Sequence, residues 1–202
     1  MTVNSSTSPT TCTATFPKTS LKTVAVYCGA SMGADPVYAA AARALAQCLV
    51  EHNIALVFGG GKVGLMGVIA DEVLRLGGDV TGVIPQALMA REVGHTGLTR
   101  LFVVKDMHER KAMMAQLSDG FIAMPGGMGT LEELFEMLTW AQLGIHAKPI
   151  GLLNINGFYD GLIAFVAHQR AHGFVRPEHA ALMLADADAS VLLRQLRGGE
   201  AA

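Results

Sequence analysis

The strongest chemical signal in this chain is the decapeptide Met124-Pro125-Gly126-Gly127-Met128-Gly129-Thr130-Leu131-Glu132-Glu133. Residues 121–124, Phe-Ile-Ala-Met, lead into it as a buried strand, and Leu131, Leu134, Phe135, Leu138 and Trp140 follow at helical spacing. A strand, a glycine turn and a helix N-terminus present backbone N–H groups and the positive end of a helix dipole to an anion. Gly126, Gly127 and Gly129 keep Cβ atoms away from that seat, and Thr130 adds a hydroxyl. Glu133 then sets a carboxylate beside a phosphate site. The plainer reading of Thr130-Leu131-Glu132-Glu133 is a capping box, in which the glutamate returns to the N-cap amide.

Two further groups fall at the same end of the predicted sheet. Gly59-Gly60-Gly61-Lys62-Val63-Gly64-Leu65-Met66-Gly67 is a second candidate anion cradle. It lacks the Gly-Lys-Ser/Thr of a Walker loop, and no acidic residue follows where a dinucleotide fold would hold a ribose. Its glycines could equally serve tight strand-to-helix packing. Arg110 and Lys111 start the helix after the fourth strand, where a guanidinium can grip a phosphate or carboxylate through two bonds. A solvated basic pair on a helix surface is the competing account. His168 and His172 stand four apart but lack the glutamate of H-E-x-x-H, so they read as a surface pair, and no metal site is expected. His95 and His108 fall near the presumed pocket with nothing to mark them as base or ligand.

These residues need a scaffold, and the chain supplies one of α/β type. Apolar runs at 23–28, 55–58, 80–84, 101–104, 121–124, 149–153 and 182–184 read as strands. They are continuously apolar, as strands covered on both faces are. Helical patterns lie between them, at 36–51 (Asp35 as N-cap, Pro36 as N1), 68–76, 107–117, 131–140, 158–172 and 187–196. Residues 86–99 read as a polar connection. The fold class is a single Rossmann-like, doubly wound parallel sheet with helices on both faces. Residues 1–20, rich in Ser and Thr, are expected to be a disordered tail, and residues 21–202 one domain.

The 202 residues are 51% hydrophobic and 16% charged, enough for a sizeable core. A net charge of −2 excludes a basic field for nucleic acid but not a few donors around one small anion. No apolar run approaches the roughly 20 residues of a membrane helix, and the first fifteen residues lack a signal-peptide core. Cys12, Cys28 and Cys48 show no CxxC spacing and suit free thiols in a reducing, cytoplasmic setting.

Together the motifs resemble the LONELY GUY (LOG) family of cytokinin-activating nucleotide phosphoribohydrolases, often labelled lysine decarboxylases. The resemblance rests on Cys28-Gly29-Ala30-Ser31, Gly59-Gly60-Gly61-x-x-Gly64-Leu65-Met66-Gly67, Gly82-Val83-Ile84-Pro85, Met107-x-x-Arg110-Lys111, Ser118-Asp119-x-Phe121-Ile122, Pro125-Gly126-Gly127-x-Gly129-Thr130-x-x-Glu133 and Thr139-Trp140-x-Gln142-Leu143-Gly144-Ile145-His146. It spans about residues 22–176; Ala30 stands where the family usually has Ser. The resemblance implies hydrolysis of the N-glycosidic bond of an N6-substituted adenosine 5′-monophosphate, with Arg110 and Glu133 as the catalytic pair. It implies substrate contacts at Gly29, Ser31, Gly60, Gly61, Gly64, Met107, Lys111, Gly126, Gly127, Gly129 and Thr130. It further implies no cofactor, a small nucleoside monophosphate as the binding partner, and a homodimer or larger assembly.

Two rivals stand beside it. One is a nucleotide or molybdenum-cofactor carrier without hydrolytic activity, because the fold alone does not separate carrier from enzyme. The other is a pyridoxal-phosphate lysine decarboxylase, for which none of the six lysines has a Schiff-base setting.

Overall fold

A computed structural model describes residues 20–92 and 94–199. The expected tail, but for Ser20, lies outside them, as does Cys12. In chain order the elements are β1 (Thr23–Tyr27), α1 (Val37–Glu51), β2 (Ala55–Phe58), α2 (Gly64–Arg75), β3 (Val80–Pro85), α3 (Gln86–Glu92), β4 (Arg100–Val104), α4 (Met107–Leu117), β5 (Gly120–Ala123), α5 (Met128–Gln142), β6 (Ile150–Leu153), α6 (Asp160–Ala171), α7 (Pro177–Ala180), β7 (Met183–Asp186) and α8 (Ala189–Leu196).

All seven strands form one parallel sheet in the order β4-β3-β2-β1-β5-β6-β7. The chain winds outward from β1 to one edge, then returns to β5 on the other side of β1. The loops leaving β1 and β5 therefore diverge, which opens a crevice at the carboxyl ends of these two strands.

The alternation of β1 assigns its side chains to two cores. Val24, Val26 and Cys28 pack with α1, α2 and α8, and Ala25 and Tyr27 pack with residues of α4, α5 and α6. Tyr27 stacks on Phe121 of β5, with ring centroids 6.1 Å apart.

Three local readings change. Residues 86–99 are not wholly a connection, because α3 occupies Gln86–Glu92. Its Gln-Ala-Leu-Met-Ala-Arg-Glu run is composed of good helix formers. The α1 cap shifts by one: Pro36 is the N-cap, and Asp35 Oδ1 accepts the Val37 amide at 2.9 Å. The decisive change is in α5, whose N-cap is Gly127. Thr130 is then the third helical residue and cannot head a capping box, so Glu133 is released from that role.

Asp119, just before β5, ties the neighbouring strand. Its Oδ2 accepts the Lys22 and Thr23 amides at the start of β1, each at 2.9 Å. Among the described residues, no helix is long and apolar enough to cross a membrane.

Candidate active site

Helix α4 is read most simply from its buried residues: Arg110, Lys111, Met114 and Ala115. Two basic side chains thus occupy the stripe that faces the sheet. Helix α5 repeats the pattern, burying Thr130, Glu133, Leu134 and Met137. A charge on a buried stripe must be paired, or it neutralises. The two helices meet so that it is paired. Arg110 Nη1 lies 3.4 Å from Glu133 Oε1, and both residues are under a tenth exposed, at 7% and 8%.

The guanidinium is fixed from three sides. Arg110 Nε donates to the Val83 carbonyl at 3.2 Å and Nη2 to the Gly59 carbonyl at 3.3 Å, while Nη1 also contacts Met107 Sδ at 3.7 Å. A Cβ on Gly59 would run into Arg110 Nη2, so the glycine at the end of β2 makes room for the fork. Among the described residues, Glu133 accepts no backbone amide that would hold it ionised. Burial pushes its carboxyl up from the ordinary value to about 7, partly offset by Arg110. A carboxyl that titrates near neutrality beside a fixed cation is the pattern expected of a working acid or base.

The pair lines a cleft of about 430 Å³ at the crevice between β1 and β5. Gly29, Ser31, Gly126, Gly127, Gly129 and Thr130 form one side of it. Helix α5 begins there with no side-chain cap and no acid in its first turn; its first bond is from the Leu131 amide to the Gly127 carbonyl at 3.2 Å. The amides of Met128, Gly129 and Thr130 are therefore the donors that a helix N-terminus leaves free. Gly127 and Gly129 have open space around them, whereas a Cβ on Gly126 would strike Thr130 Oγ1. Met32, Tyr38 and Phe158 add apolar lining to the cleft, with Tyr38 and Phe158 edge to face at 5.9 Å.

Residues 66–196 match the family model described as "possible lysine decarboxylase". The cytokinin riboside 5′-monophosphate phosphoribohydrolase LOG7 of Arabidopsis thaliana is 48% identical over 179 residues, covering 89% of this chain and 82% of that protein. The probable cytokinin riboside 5′-monophosphate phosphoribohydrolase LOGL1 of Oryza sativa subsp. japonica is 50% identical over 173 residues, covering 86% and 78%. The chain belongs to the LOG family.

A molybdenum cofactor binding protein from the phototrophic bacterium Rippkaea orientalis shares the LOG chain's architecture at a TM-score of 0.65. It is 20% identical, with 87% of this chain and 94% of that one covered, a likeness that speaks for the fold alone.

Not every residue singled out from the LOG motifs reaches the cleft. Gly60, Gly61 and Gly64 lie off its lining and hold the loops together. Gly60, at φ +77°, packs on Ile84 and gives its carbonyl to the His95 amide at 3.0 Å; Gly61 bridges to Gly94. The Leu65 amide at the start of α2 donates to the Gly29 carbonyl at 3.0 Å, so that donor of the second cradle is used internally.

Gly64 has φ +59°, and a Cβ there would run into the Ala30 carbonyl and Ser31 amide. Gly64→Ala is expected to cost about 3 kcal/mol or more, from strain and overlap together. Gly144→Ala, at φ +72° with open space around it, should cost about 1 kcal/mol. Urea unfolding of both variants checks the contrast; equal losses would mean that the loops are not locked at Gly64.

Met107 and Lys111 also lie off the cleft lining; Met107 touches Arg110, and Lys111 pairs with Glu132 and Glu136. Conversely, Tyr27, Cys28, Tyr38 and Phe158 line the cleft although no motif marked them as ligand contacts. Burial raises both the Tyr27 hydroxyl and the Cys28 thiol well above their ordinary values, so neither serves as a ready anion. His95 is tied down, with Nε2 2.8 Å from Asp71 Oδ1. His168 and His172 are an exposed pair, and among the described residues no three His, Cys, Asp or Glu side chains gather into a metal-binding group.

Proposed function

We propose that this LOG-family protein hydrolyses the N-glycosidic bond of an adenosine 5′-monophosphate, N6-substituted forms included, and releases the free base and ribose 5-phosphate. The observation that carries the reading is Glu133, a carboxyl titrating near neutrality that lines the same cleft as the uncapped N-terminus of its own helix. The naming of close relatives as cytokinin riboside 5′-monophosphate phosphoribohydrolases supports the substrate class.

In this reading the amides of Met128, Gly129 and Thr130 receive the 5′-phosphate, helped by the Thr130 hydroxyl and by the Gly29–Ser31 loop. The base lies toward Met32, Tyr38 and Phe158. The ribose is then held beside Glu133. Loss of the base leaves positive charge on the sugar, and a carboxylate at that point stabilises the charge and orients the attacking water.

Arg110 has five N–H groups. Nε is committed to Val83, one Nη2 hydrogen to Gly59, and Nη1 faces Glu133 and Met107. The second Nη2 hydrogen is left for substrate, so Arg110 chiefly aims Glu133 and adds a single contact of its own. Gly60, Gly61 and Gly64 would act through the loops they fasten, and Met107 and Lys111 through Arg110 and α5.

The test is incubation with AMP and with N6-isopentenyl-AMP, followed by chromatography for free base and ribose 5-phosphate. Release of both is expected; tight nucleotide binding without release would instead support a carrier. A decarboxylase lacks support, since no lysine is among the residues lining the cleft. We also place the protein in the cytoplasm, as its free thiols suggest, and as a homodimer, in line with the family resemblance. Exposed Phe135, Leu143 and Ile145 on and just after α5 are apolar side chains that such a contact could cover. Sedimentation should then give twice 21.2 kDa, and a monomer mass would refute the assembly.

A further inference from the structure

The Arg110–Glu133 pair has a twin one residue along each helix. Lys111 is as buried as Arg110, at 7% exposure, and its ammonium is held between two carboxylates of α5, Glu132 and Glu136 Oε1, the latter at 3.3 Å. Burying a lysine stem and head costs desolvation that a solvated surface position would avoid, so the arrangement calls for a reason. Its surroundings supply one. Within one and a half turns, α5 carries three acids, at 132, 133 and 136, and only Glu133 lines the cleft. Two neighbouring negative charges oppose the ionisation of a third.

We propose that Lys111 is a positioning residue that neutralises Glu132 and Glu136, so that Glu133 is the carboxyl of α5 left able to ionise toward the cleft. This rests on the reading of Glu133 given above and adds the group that governs it. Lys111 itself lies off the cleft lining.

The groups that bear on Glu133 come from three elements. From α4 come Arg110 and Lys111, whose charges favour the carboxylate. From α5 come Glu132 and Glu136, which oppose it. From the end of β1 come Tyr27 and Cys28, both held neutral by burial. Of these, Lys111 alone contacts both opposing acids. Its charge therefore acts twice, directly on Glu133 and by cancelling its two neighbours. Glu136 Oε2 is buried with no hydrogen-bond partner among the described residues, so this carboxylate relies on the Lys111 ammonium at its Oε1.

The test is the pH dependence of kcat/KM for base release, together with titration of the Glu133 carboxyl by 13C NMR in the free protein. The resonance is assigned by its loss in Glu133→Gln. Lys111→Met should move both the ascending limb and the carboxyl midpoint upward, by about one pH unit. Glu136→Gln should move both downward, and Lys111→Arg, which keeps the charge, should restore the wild-type position. A purely structural role for Lys111 would lower the rate by the same factor at every pH and leave the midpoint in place, and that result overturns the proposal. So does an upward shift in Glu136→Gln. If Lys111→Met does not fold, the opposite-direction shift in Glu136→Gln still decides. If the wild-type protein releases no base, the hydrolase reading fails, yet the carboxyl titration still tests whether Lys111 governs Glu133.

Discussion

Glu133→Gln is expected to abolish base release while making the folded protein more stable above neutral pH. The loss of activity follows from charge. Gln keeps the shape and one acceptor but cannot offset a positive ribose or take a proton from water. Removing a preorganised electrostatic group of this kind costs about 10²–10³-fold at least in turnover. AMP should still bind, because the α5 amides and the Gly29–Ser31 loop are untouched. Residual turnover within about tenfold of wild type would take Glu133 out of the mechanism.

The gain in stability follows from the same burial. The Glu133 carboxyl titrates at about 7 in the folded chain, against an ordinary 4.5. Between these values the native state holds a proton that the unfolded state has released, so stability falls as pH rises. The whole loss, on the order of 3 kcal/mol, is in force above pH 7. Gln has no such loss. Glu133→Gln should therefore melt several degrees higher than wild type at pH 8, at roughly 2–4 °C per kcal/mol, with the gap closing toward pH 4.5. The same midpoint sets activity: the carboxylate is the working form, so kcat/KM should rise with pH through about 7 and then level off. Equal melting temperatures at pH 8, or a rate that falls across neutrality, would contradict the assignment.

Much of this arrangement was legible in the sequence, for identifiable reasons. Strand β2 reads as 55–58 because the apolar run Ala55-Leu56-Val57-Phe58 ends at the glycines, and helix α4 reads as 107–117, a start the structure explains by Asp106, whose Oδ1 accepts the Glu109 amide at 3.0 Å. The parallel sheet follows from apolar strands alternating with helices.

What failed was local. Helix α3 is seven residues long and blends into a polar stretch. A hydroxyl is the commoner N-cap, which points to Thr130 as the start of α5, whereas Gly127 fills that place and shifts the frame by three. The spacing does carry a usable signal. Met107, Arg110, Lys111 and Met114 fall at i, i+3, i+4 and i+7, which puts both cations on the buried face; Thr130, Glu133, Leu134 and Met137 do the same for the acid. That these stripes face each other, and that Lys111 meets Glu132 and Glu136, depends on how α4 and α5 dock across the sheet. No spacing within either helix encodes that.

Arg110→Met should eliminate activity and destabilise the fold in a pH-dependent way. The variant removes the cation beside Glu133 and strips partners from two buried carbonyls, Val83 and Gly59. Breaking a buried pair from one side typically costs about 3–5 kcal/mol, because the remaining charge is left unpaired. Here the remaining charge has an escape. Glu133 already titrates near 7 with Arg110 in place, and Arg110 is what holds it down, so without Arg110 its midpoint rises further and the carboxyl stays protonated across neutrality. At pH 5.5 the cost is then only that of the two carbonyls, about 1–3 kcal/mol for each group left unsatisfied; at pH 8 and above the carboxylate penalty is added. The same protonation removes the working form of Glu133, so turnover should fall by orders of magnitude even if the cleft keeps its shape. Arg110→Lys should not restore it, since an ammonium cannot reach Val83, Gly59 and Glu133 at once with the geometry of a planar fork. Urea unfolding at the two pH values separates the contributions, and the double variant Arg110→Met/Glu133→Gln isolates the pair. It should be as inactive as either single variant, yet lose the extra instability at pH 8, because no carboxylate is left to strand. An Arg110→Met protein that turns over normally, or whose instability is the same at both pH values, would show that the guanidinium neither aims nor charges Glu133.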